Sequence, residues 1–91
     1  MNEKIEKLRS DIDAIDARLI SLLCERFEIV KEIADIKRDL QIEIEDEGRE
    51  REVMENCTDA AEGRLEEGFV RDLAKLILSY SKKIQHARRG R

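Results

Sequence analysis

Two cations occupy positions where the first predicted helix would otherwise carry apolar side chains. One seven-residue series places Arg26 in the apolar stripe, and it runs Ile5, Ile12, Leu19, Arg26, Ile33, Leu40. A second places Lys37 beside apolar neighbours, and it runs Arg9, Asp16, Leu23, Val30, Lys37. An unpaired buried cation is unfavourable, so each cation needs an anion or a route to solvent. The anion is either an acidic side chain of the protein or part of a ligand.

Polar residues interrupt the apolar faces of the two later helices as well. Glu50 continues the apolar face of the second helix, and Ser81 and Gln85 lie one turn apart on the third. An interruption in one helix is usually structural, but interruptions in all three helices together predict a polar pocket inside a helical core. Arg26 and Lys37 are about 16 Å apart along the axis and within roughly 20° of one face, which leaves room for a small anion. Glu50 could pair with one of these cations, but it cannot satisfy both, whereas an anionic ligand could.

Arg9 cannot reach this pocket within one straight helix. It lies about 42 Å from Lys37 along the helix axis. In an antiparallel dimer of long helices, Arg9 of one chain would approach the Arg26–Lys37 region of the other. Two-fold symmetry would then give two equivalent pockets.

The elements that must position these residues are three helices. Apolar spacing predicts a first helix from about Glu3 to about Leu40, roughly 55 Å long. A second is predicted over 47–62, with Asp46 as N-cap and Gly63 as C-cap. A third is predicted over 69–88. The fold class is therefore all-α, with one long and two shorter helices, in a single domain over residues 1–91.

The long first helix is expected to need a partner along most of its length. Its predicted apolar face consists of Ile5, Leu8, Ile12, Ile15, Leu19, Leu22, Ile29, Ile33, Ile36 and Leu40. A lone chain of this size buries a modest fraction of its surface. Both observations favour an oligomer.

Composition excludes several classes of function. Charged residues make up 44% of the 91 residues and aromatic residues 3%, and the net charge of −4 argues against general nucleic-acid binding. The basic C-terminal stretch "SKKIQHARRGR" is interpreted as a solvated helix end and tail. Cys24, Cys57 and a lone His86 form no metal-ligand set, and both thiols are expected to be buried. The chain has no signal-peptide pattern and no membrane-length apolar run, which predicts a cytoplasmic protein without membrane contact.

Four segments, taken in order, resemble the all-helical (AroQ-type, class II) chorismate mutases. These segments are "LRSDIDAIDARLISLLCER", "EIADIK", "EDEGRERE" and "SKKIQ", and the resemblance covers nearly the whole chain. It implies rearrangement of chorismate to prephenate, on the route to phenylalanine and tyrosine, by an intertwined homodimer without metal or cofactor. The chain departs from the family after the first helix, where Gln41 and Glu43 stand near places often held by Gly and Pro. That departure leaves the geometry of the connection open.

The resemblance also implies roles for the residues that hold the substrate's two carboxylates. Arg26 and the partner's Arg9 would each hold one of them. Ser81 would contact a carboxylate, and Arg49 would line the pocket. All four roles are carried over from the family's motifs.

The remaining roles implied by the resemblance concern the ring hydroxyl and the ether oxygen. Asp46, partly through its backbone, and Glu50 would position the hydroxyl. Lys37 and Gln85 would donate hydrogen bonds to the ether oxygen that links ring and side chain. Such donors stabilise the negative charge that grows there in the transition state.

Two other functions compete with this interpretation. An isochorismate pyruvate-lyase would share the fold and the cationic pocket, but Asp46 and Glu50 fit hydroxyl recognition by a mutase. A non-catalytic helical dimer or regulatory domain would show the same long helix. It would not require Arg26, Lys37 and Glu50 together with the polar pair on the third helix.

Overall fold

The computed structural model describes residues 2–90, which fold into three α-helices with no strand among them. They are α1 (Glu3–Leu40), α2 (Glu47–Ala61) and α3 (Glu67–Arg89). The all-α class and the three predicted helices are therefore confirmed. The ends of the predicted domain, residues 1 and 91, lie outside the described residues. Whether residues 1–91 make up a single domain stays a prediction.

Side-chain and backbone caps set the helix ends. Asn2 Oδ1 accepts a hydrogen bond from the Ile5 N–H at 3.1 Å, and Asp46 Oδ1 accepts one from the Arg49 N–H at 3.0 Å. The predicted N-cap of α2 is thus confirmed. At the other end α2 stops at Ala61, one residue before the predicted end, because Glu62 already turns into the left-handed region with a φ of 51°. Glu62, rather than Gly63, is the C-cap.

The third helix is slightly longer than predicted. It begins at Glu67, two residues before Phe69, and it continues to Arg89, one residue past Arg88. Glu66 is its N-cap but forms no side-chain capping bond. The residue that caps α3 is therefore not one of the usual N-cap types, Ser, Thr, Asp or Asn, and the sequence carries no capping signal at this helix start.

Helix α3 packs against both other helices and carries the centre of a small core. The buried apolar side chains are Val30, Ala34, Ile44, Val53, Val70 and Ala74. Phe27 and Tyr80 join α1 to α3 in an edge-to-face contact with ring centroids 4.7 Å apart. Further along, Arg88 Nε and Nη2 donate to the two carboxylate oxygens of Asp35 at 2.8 and 2.7 Å. These contacts fix the C-terminal half of α1 against α3.

The apolar face predicted for α1 is exposed in the single chain, so the partner that the sequence analysis expected for it is not supplied by the other two helices. Leu22 is 62% exposed and Ile36 56%, and every residue from 2 to 22 is exposed. The buried residues of α1 are Val30 and Ala34. Successive helical residues are about 100° apart. Helix α3 therefore covers a face next to the predicted one and leaves the predicted one open.

The cysteines also differ from expectation. Cys24 is exposed and Cys57 is half-buried, and both are free thiols. Cys24 lies on the part of α1 that α3 leaves uncovered, so its apolar surroundings along the helix do not bury it. The prediction of two buried thiols was wrong for Cys24.

The described chain is far from spherical. Its principal extents are 58 × 28 × 14 Å and its Cα radius of gyration is 16.9 Å. A compact domain of this length would have a radius of about 12 Å. Within residues 2–90, no helix has both the length and the apolar character needed to cross a bilayer.

Candidate functional site

A small polar cavity of about 70 Å³ lies where α1, α2, α3 and the 41–46 connection meet. Its lining residues are Lys37, Ile44, Asp46, Arg49, Glu50, Leu78, Ser81, Lys82 and Gln85. Six of the eight predicted site residues are among them. Arg26 lies beside the cavity rather than in its lining, and Arg9 lies far from it.

Arg26 reaches the cavity through Ser81. Its Nη1 donates to the Ser81 Oγ at 2.8 Å, and that hydroxyl donates in turn to the Ile77 carbonyl oxygen at 2.9 Å. Ser81 is buried, with 6% of its surface exposed. Burial lowers the pKa of Arg26, the Cys57 thiol acts in the opposite sense, and the charge of Arg49 lowers it further. Arg26 remains charged nonetheless, so the site holds a partly desolvated cation that an incoming carboxylate could satisfy.

Lys37 presents its ammonium to the connection between α1 and α2. Its Nζ donates to the Ile44 carbonyl oxygen at 3.2 Å, and Ile44 itself is buried. That contact leaves two of the three ammonium hydrogens available. The ion pairs seen within residues 2–90 involve other lysines. The full positive charge of Lys37 therefore faces the cavity.

Gln85 contributes an unmet hydrogen-bonding group. Its Oε1 is buried and has no partner within the described part of the chain. Flipping the side-chain amide of Gln85 would place its NH₂ group where Oε1 now lies. A buried polar atom without a partner is rare in native proteins and calls for an explanation. Because Gln85 lines the polar cavity, this amide is a candidate for a hydrogen bond to a ligand.

Glu50 pairs with a cation that the sequence did not single out. Its Oε1 lies 3.5 Å from Lys82 Nζ, which also lies 3.5 Å from Glu45 Oε2. The charges of Glu50 and then of Glu45 raise the pKa of Lys82. Glu50 therefore pairs with neither Arg26 nor Lys37. Both of those cations remain without a carboxylate partner in residues 2–90.

Lys82 was missed because it lies in the basic C-terminal stretch interpreted as solvated. Its spacing held the signal that could have found it. It directly follows Ser81 and precedes Gln85 by three residues, so it lies within one turn of both. A residue at that position borders the same wall of the pocket.

Arg9 is outside the site of its own chain. Its side chain is 69% exposed and its Nη1 lies 3.4 Å from Glu6 Oε1, an i,i+3 pair in solvent. Helix α1 runs unbroken from Glu3 to Leu40, which separates Arg9 from Lys37 by about 42 Å. One chain therefore does not bring Arg9 to the other predicted site residues.

The arrangement suits binding and charge stabilisation of an anionic ligand. It offers cations from two helices, an amide from a third, and the carboxylates of Glu50 and Asp46 as acceptors for a hydroxyl. No cluster of three or more potential metal-ligating side chains occurs within residues 2–90. Such a site can support reactions driven by orientation and electrostatics.

Comparison with known proteins gives consistent results. The family model "Chorismate mutase type II" matches residues 8–86. The chain is 29% identical over 86 residues to a chorismate mutase of Methanocaldococcus jannaschii, covering 93% of this chain and 87% of that protein. It is 40% identical over 53 residues to a bifunctional chorismate mutase/prephenate dehydratase of Aquifex aeolicus, covering 58% of this chain and 15% of that protein. A solved structure, a conserved hypothetical protein from Pyrococcus furiosus, matches with a TM-score of 0.77 and 36% identity, covering 93% of this chain and 99% of that one.

Proposed function

This chain belongs to the type II chorismate mutase family and is an isomerase that converts chorismate to prephenate, and from that premise we propose that it works as an intertwined homodimer with two shared sites. The observation that carries the proposal is the cavity in which Lys37, Glu50, Ser81 and Gln85 meet from three helices, with Arg26 bonded to Ser81. Arg9, the remaining cation of the motif, lies on the exposed end of α1.

The reaction needs conformational control more than chemical participation by the protein. In one concerted step the ether C–O bond breaks and a new C–C bond forms, with no nucleophile, proton or electron taken from the enzyme. Chorismate is a flexible dianion. Holding both carboxylates selects the compact, chair-like conformer that reacts. In the proposed site Arg26 holds one carboxylate, Ser81 supports it, and the partner's Arg9 holds the other.

Charge stabilisation supplies the second part of the rate enhancement. Cleavage of the C–O bond runs ahead of C–C formation, so negative charge grows on the ether oxygen. Lys37 and Gln85 are proposed to donate to that oxygen. Fixed donors in a partly dry site stabilise the transition state more than the ground state, which raises kcat. The free ammonium of Lys37 and the incomplete hydrogen bonding of Gln85 support these roles.

The ring hydroxyl is assigned to the acidic side of the pocket. Asp46, partly through its backbone, and Glu50 are proposed to position it, and Arg49 is proposed to line the site. The three residues lie at the start of α2, where Asp46 already accepts the Arg49 N–H. A cap that is fixed in this way holds the neighbouring groups in place.

The shape of the chain supports a second copy. Its accessible surface of 7539 Å² compares with about 5,500 Å² for a compact monomer of this mass. The excess, about 2,000 Å², exceeds the roughly 800 Å² that each partner contributes to a standard interface. Much of it lies along the apolar face of α1 that α3 leaves open.

A complementary surface exists on the same chain. An apolar groove of about 490 Å³ lies along α2 and α3, and its lining is Cys57, Ala60, Ala61, Arg64, Leu65, Val70, Leu73, Ala74 and Ile77. The N-terminal half of a partner's α1 is the proposed occupant. Its apolar residues would fill the groove while its Arg9 reached the polar cavity. The two contacts together complete both sites by symmetry.

The competing functions are not favoured. The family match and the curated relatives all carry chorismate mutase in their descriptions. An isochorismate pyruvate-lyase would not need Asp46 and Glu50 for a ring hydroxyl. A scaffold would gain nothing from an unpaired Lys37.

The direct test is conversion of chorismate by the purified protein, followed by its ultraviolet absorbance with identification of the product. Prephenate should form rapidly without added metal or cofactor. Isochorismate serves as the parallel substrate. Release of pyruvate from it, with no prephenate from chorismate, would refute the proposal in favour of the lyase.

A further inference from the structure

Three segments of the chain meet at Lys82. The lysine projects from α3, Glu50 from α2, and Glu45 from the connection that follows α1, with both carboxylates 3.5 Å from the ammonium. Lys82 and Glu50 are both in the lining of the polar cavity. Their side chains are about one-third exposed, so the group forms part of the rim rather than the floor.

The charges around Glu50 show what this contact prevents. Lys37 on α1 and Arg49 on α2 line the same cavity, and Asp46 is occupied as the cap of α2. A carboxylate in such a cavity is attracted to any free cation within reach. Pairing of Glu50 with Lys37 would neutralise the ammonium that substrate must use. Lys82 provides Glu50 with another partner on the solvent side.

We infer that Lys82 is a positioning residue for substrate binding: it holds the Glu50 carboxylate at the rim, away from Lys37, where Glu50 can accept the ring hydroxyl. The inference rests on the proposed roles of Glu50 and Lys37. Glu45 shares the cation and ties the 41–46 connection to α3 through the same contact. Lys82 is charged across the neutral range even at the ordinary lysine pKa, and the two carboxylates raise that pKa further.

The effect of Lys82 should appear in substrate binding. The ring hydroxyl does not react, so its contact with Glu50 contributes equally to ground and transition states. Loss of such an interaction raises KM and leaves kcat nearly unchanged. Because the pair is partly exposed, Lys82→Gln should raise KM by about three- to fivefold. Lys82→Arg should stay within about twofold of the wild type, since it keeps the charge.

Lys83 provides a matched control. It is the next residue on α3, carries the same charge and is exposed. Lys83→Gln removes one positive charge from the same helix without touching Glu50. Its KM should equal that of the wild type. An equal rise in KM for both variants would overturn the inference, because net charge alone would then explain it.

A double-mutant cycle tests whether Lys82 acts through Glu50. In a Glu50→Gln background, Lys82→Gln should change KM by less than about twofold, because its partner is already uncharged. The same loss in both backgrounds would overturn the inference. Cycles remove the general effects of each substitution on the fold.

The same four proteins should be unfolded in urea, which separates this inference from the proposed function. Non-additive unfolding free energies would support the Lys82–Glu50 pair even if the wild type failed to convert chorismate, and that failure would count against the function alone. Additive unfolding together with additive KM values would overturn the pair itself. Either result is obtained with the complete chain.

Discussion

Lys37 differs from the surface lysines of the chain in the nature of its partner. Lys7 lies 2.6 Å from the Asp11 carboxylate, and its charge is neutralised there. Lys37 meets the carbonyl dipole of Ile44 instead, at 3.2 Å. A dipole orients an ammonium without cancelling its charge. The structure therefore supports the interpretation that Lys37 occupies an apolar position because its anion is supplied by a ligand.

Replacement of Lys37 tests the catalytic role directly. Lys37→Ala should lower kcat by about a hundred- to a thousandfold, since loss of one fixed donor at a developing oxyanion typically has an effect of that order. The protein should remain folded, because only one carbonyl oxygen loses its partner. Steady-state kinetics and circular dichroism measure the two properties.

Lys31→Ala is the control for that substitution. Lys31 lies on the same helix and pairs with Glu28 at 3.0 Å in solvent. Its loss should leave kcat unchanged. Near-normal turnover by Lys37→Ala would contradict the proposed mechanism.

At the scale of single residues, the sequence identified the polar and charged residues that interrupt an apolar pattern. It did not identify the residues that pair with them. Arg26 and Lys37 stand out because helical spacing places them among apolar residues. Lys82 stands in a run of charged residues, so the hydrophobic pattern does not distinguish it from its neighbours. The pairing of Glu50 with Lys82 depends on how α2 and α3 cross, which no local pattern contains.

Several polar contacts join the C-terminal part of α1 and the connection after it to the end of α3. Arg88 binds Asp35 in a two-bond contact, and Arg89 Nη2 donates to the Ile42 carbonyl oxygen at 2.6 Å. Both arginines lie in the last turn of α3. They hold α1 and the 41–46 connection in the positions that the cavity needs.

The Asp35–Arg88 link should make stability depend on pH in the acid range. The hydrogen bonds from Arg88 lower the pKa of Asp35, so this contribution is fully present above the ordinary carboxyl value of about 3.9. It is lost as the pH falls through the lowered value. Asp35→Asn should therefore be less stable than the wild type at pH 7, and the difference should shrink at pH 3. Urea unfolding at both pH values measures it.

Asp11→Asn is the matched control for the acid-range measurement. Asp11 pairs within α1 and is half exposed, so its loss should have little effect at either pH. An Asp35→Asn deficit that stayed constant from pH 7 to pH 3 would contradict the linkage argument.

The end of α1 carries a conformational strain that a substitution can relieve. Gln41 has a φ of 55° in the left-handed region, a conformation that side chains other than glycine disfavour by about 1–2 kcal/mol. Gln41→Gly should raise the unfolding free energy by about 1 kcal/mol. Gln41→Ala, which keeps a Cβ, should give no such gain. Urea unfolding of the three proteins decides it, and equal stabilities would show that Gln41 is not strained.

At the scale of elements, the sequence predicted the helices more reliably than the turns between them. Asn2 and Asp46 have side chains suited to capping, and the helices begin immediately after them. Gln41 and Glu62 adopt left-handed conformations without being the glycine or asparagine that signals them. Tertiary contacts such as the burial of Ile44 and the Arg89 bond to Ile42 fix the first of these turns.

Across the whole molecule, α1 has two apolar faces, and only one of them is covered in the single chain. One face, around Val30 and Ala34, contacts α3 of the same chain. The other, which the sequence identified, is open along the whole helix. The apolar periodicity predicted that α1 needs packing partners. It could not show which apolar face packs against which partner. That assignment depends on the crossing of α1 with α3.

Mixing of two inactive variants tests the shared site. Arg9→Ala and Arg26→Ala homodimers should each lose most activity, because every site lacks one arginine. A mixed dimer has one site with both arginines and one with neither. Random exchange should therefore restore about a quarter of wild-type activity.

Exchange must be verified by refolding differently tagged chains together and isolating the mixed dimer. Sedimentation should give twice the mass of one chain for the wild type. A verified mixed dimer without activity would argue against sites that combine residues of two chains.

The uncovered N-terminal half of α1 has a consequence for behaviour in the cell. Residues 2–22 are exposed in the single chain, so in the proposed dimer the free energy that keeps them folded would come from association. Folding and completion of the active site would then be coupled, and the melting temperature would rise with protein concentration. Dilution would destabilise such a dimer, so the protein concentration would set both the number of active sites and whether each one is complete.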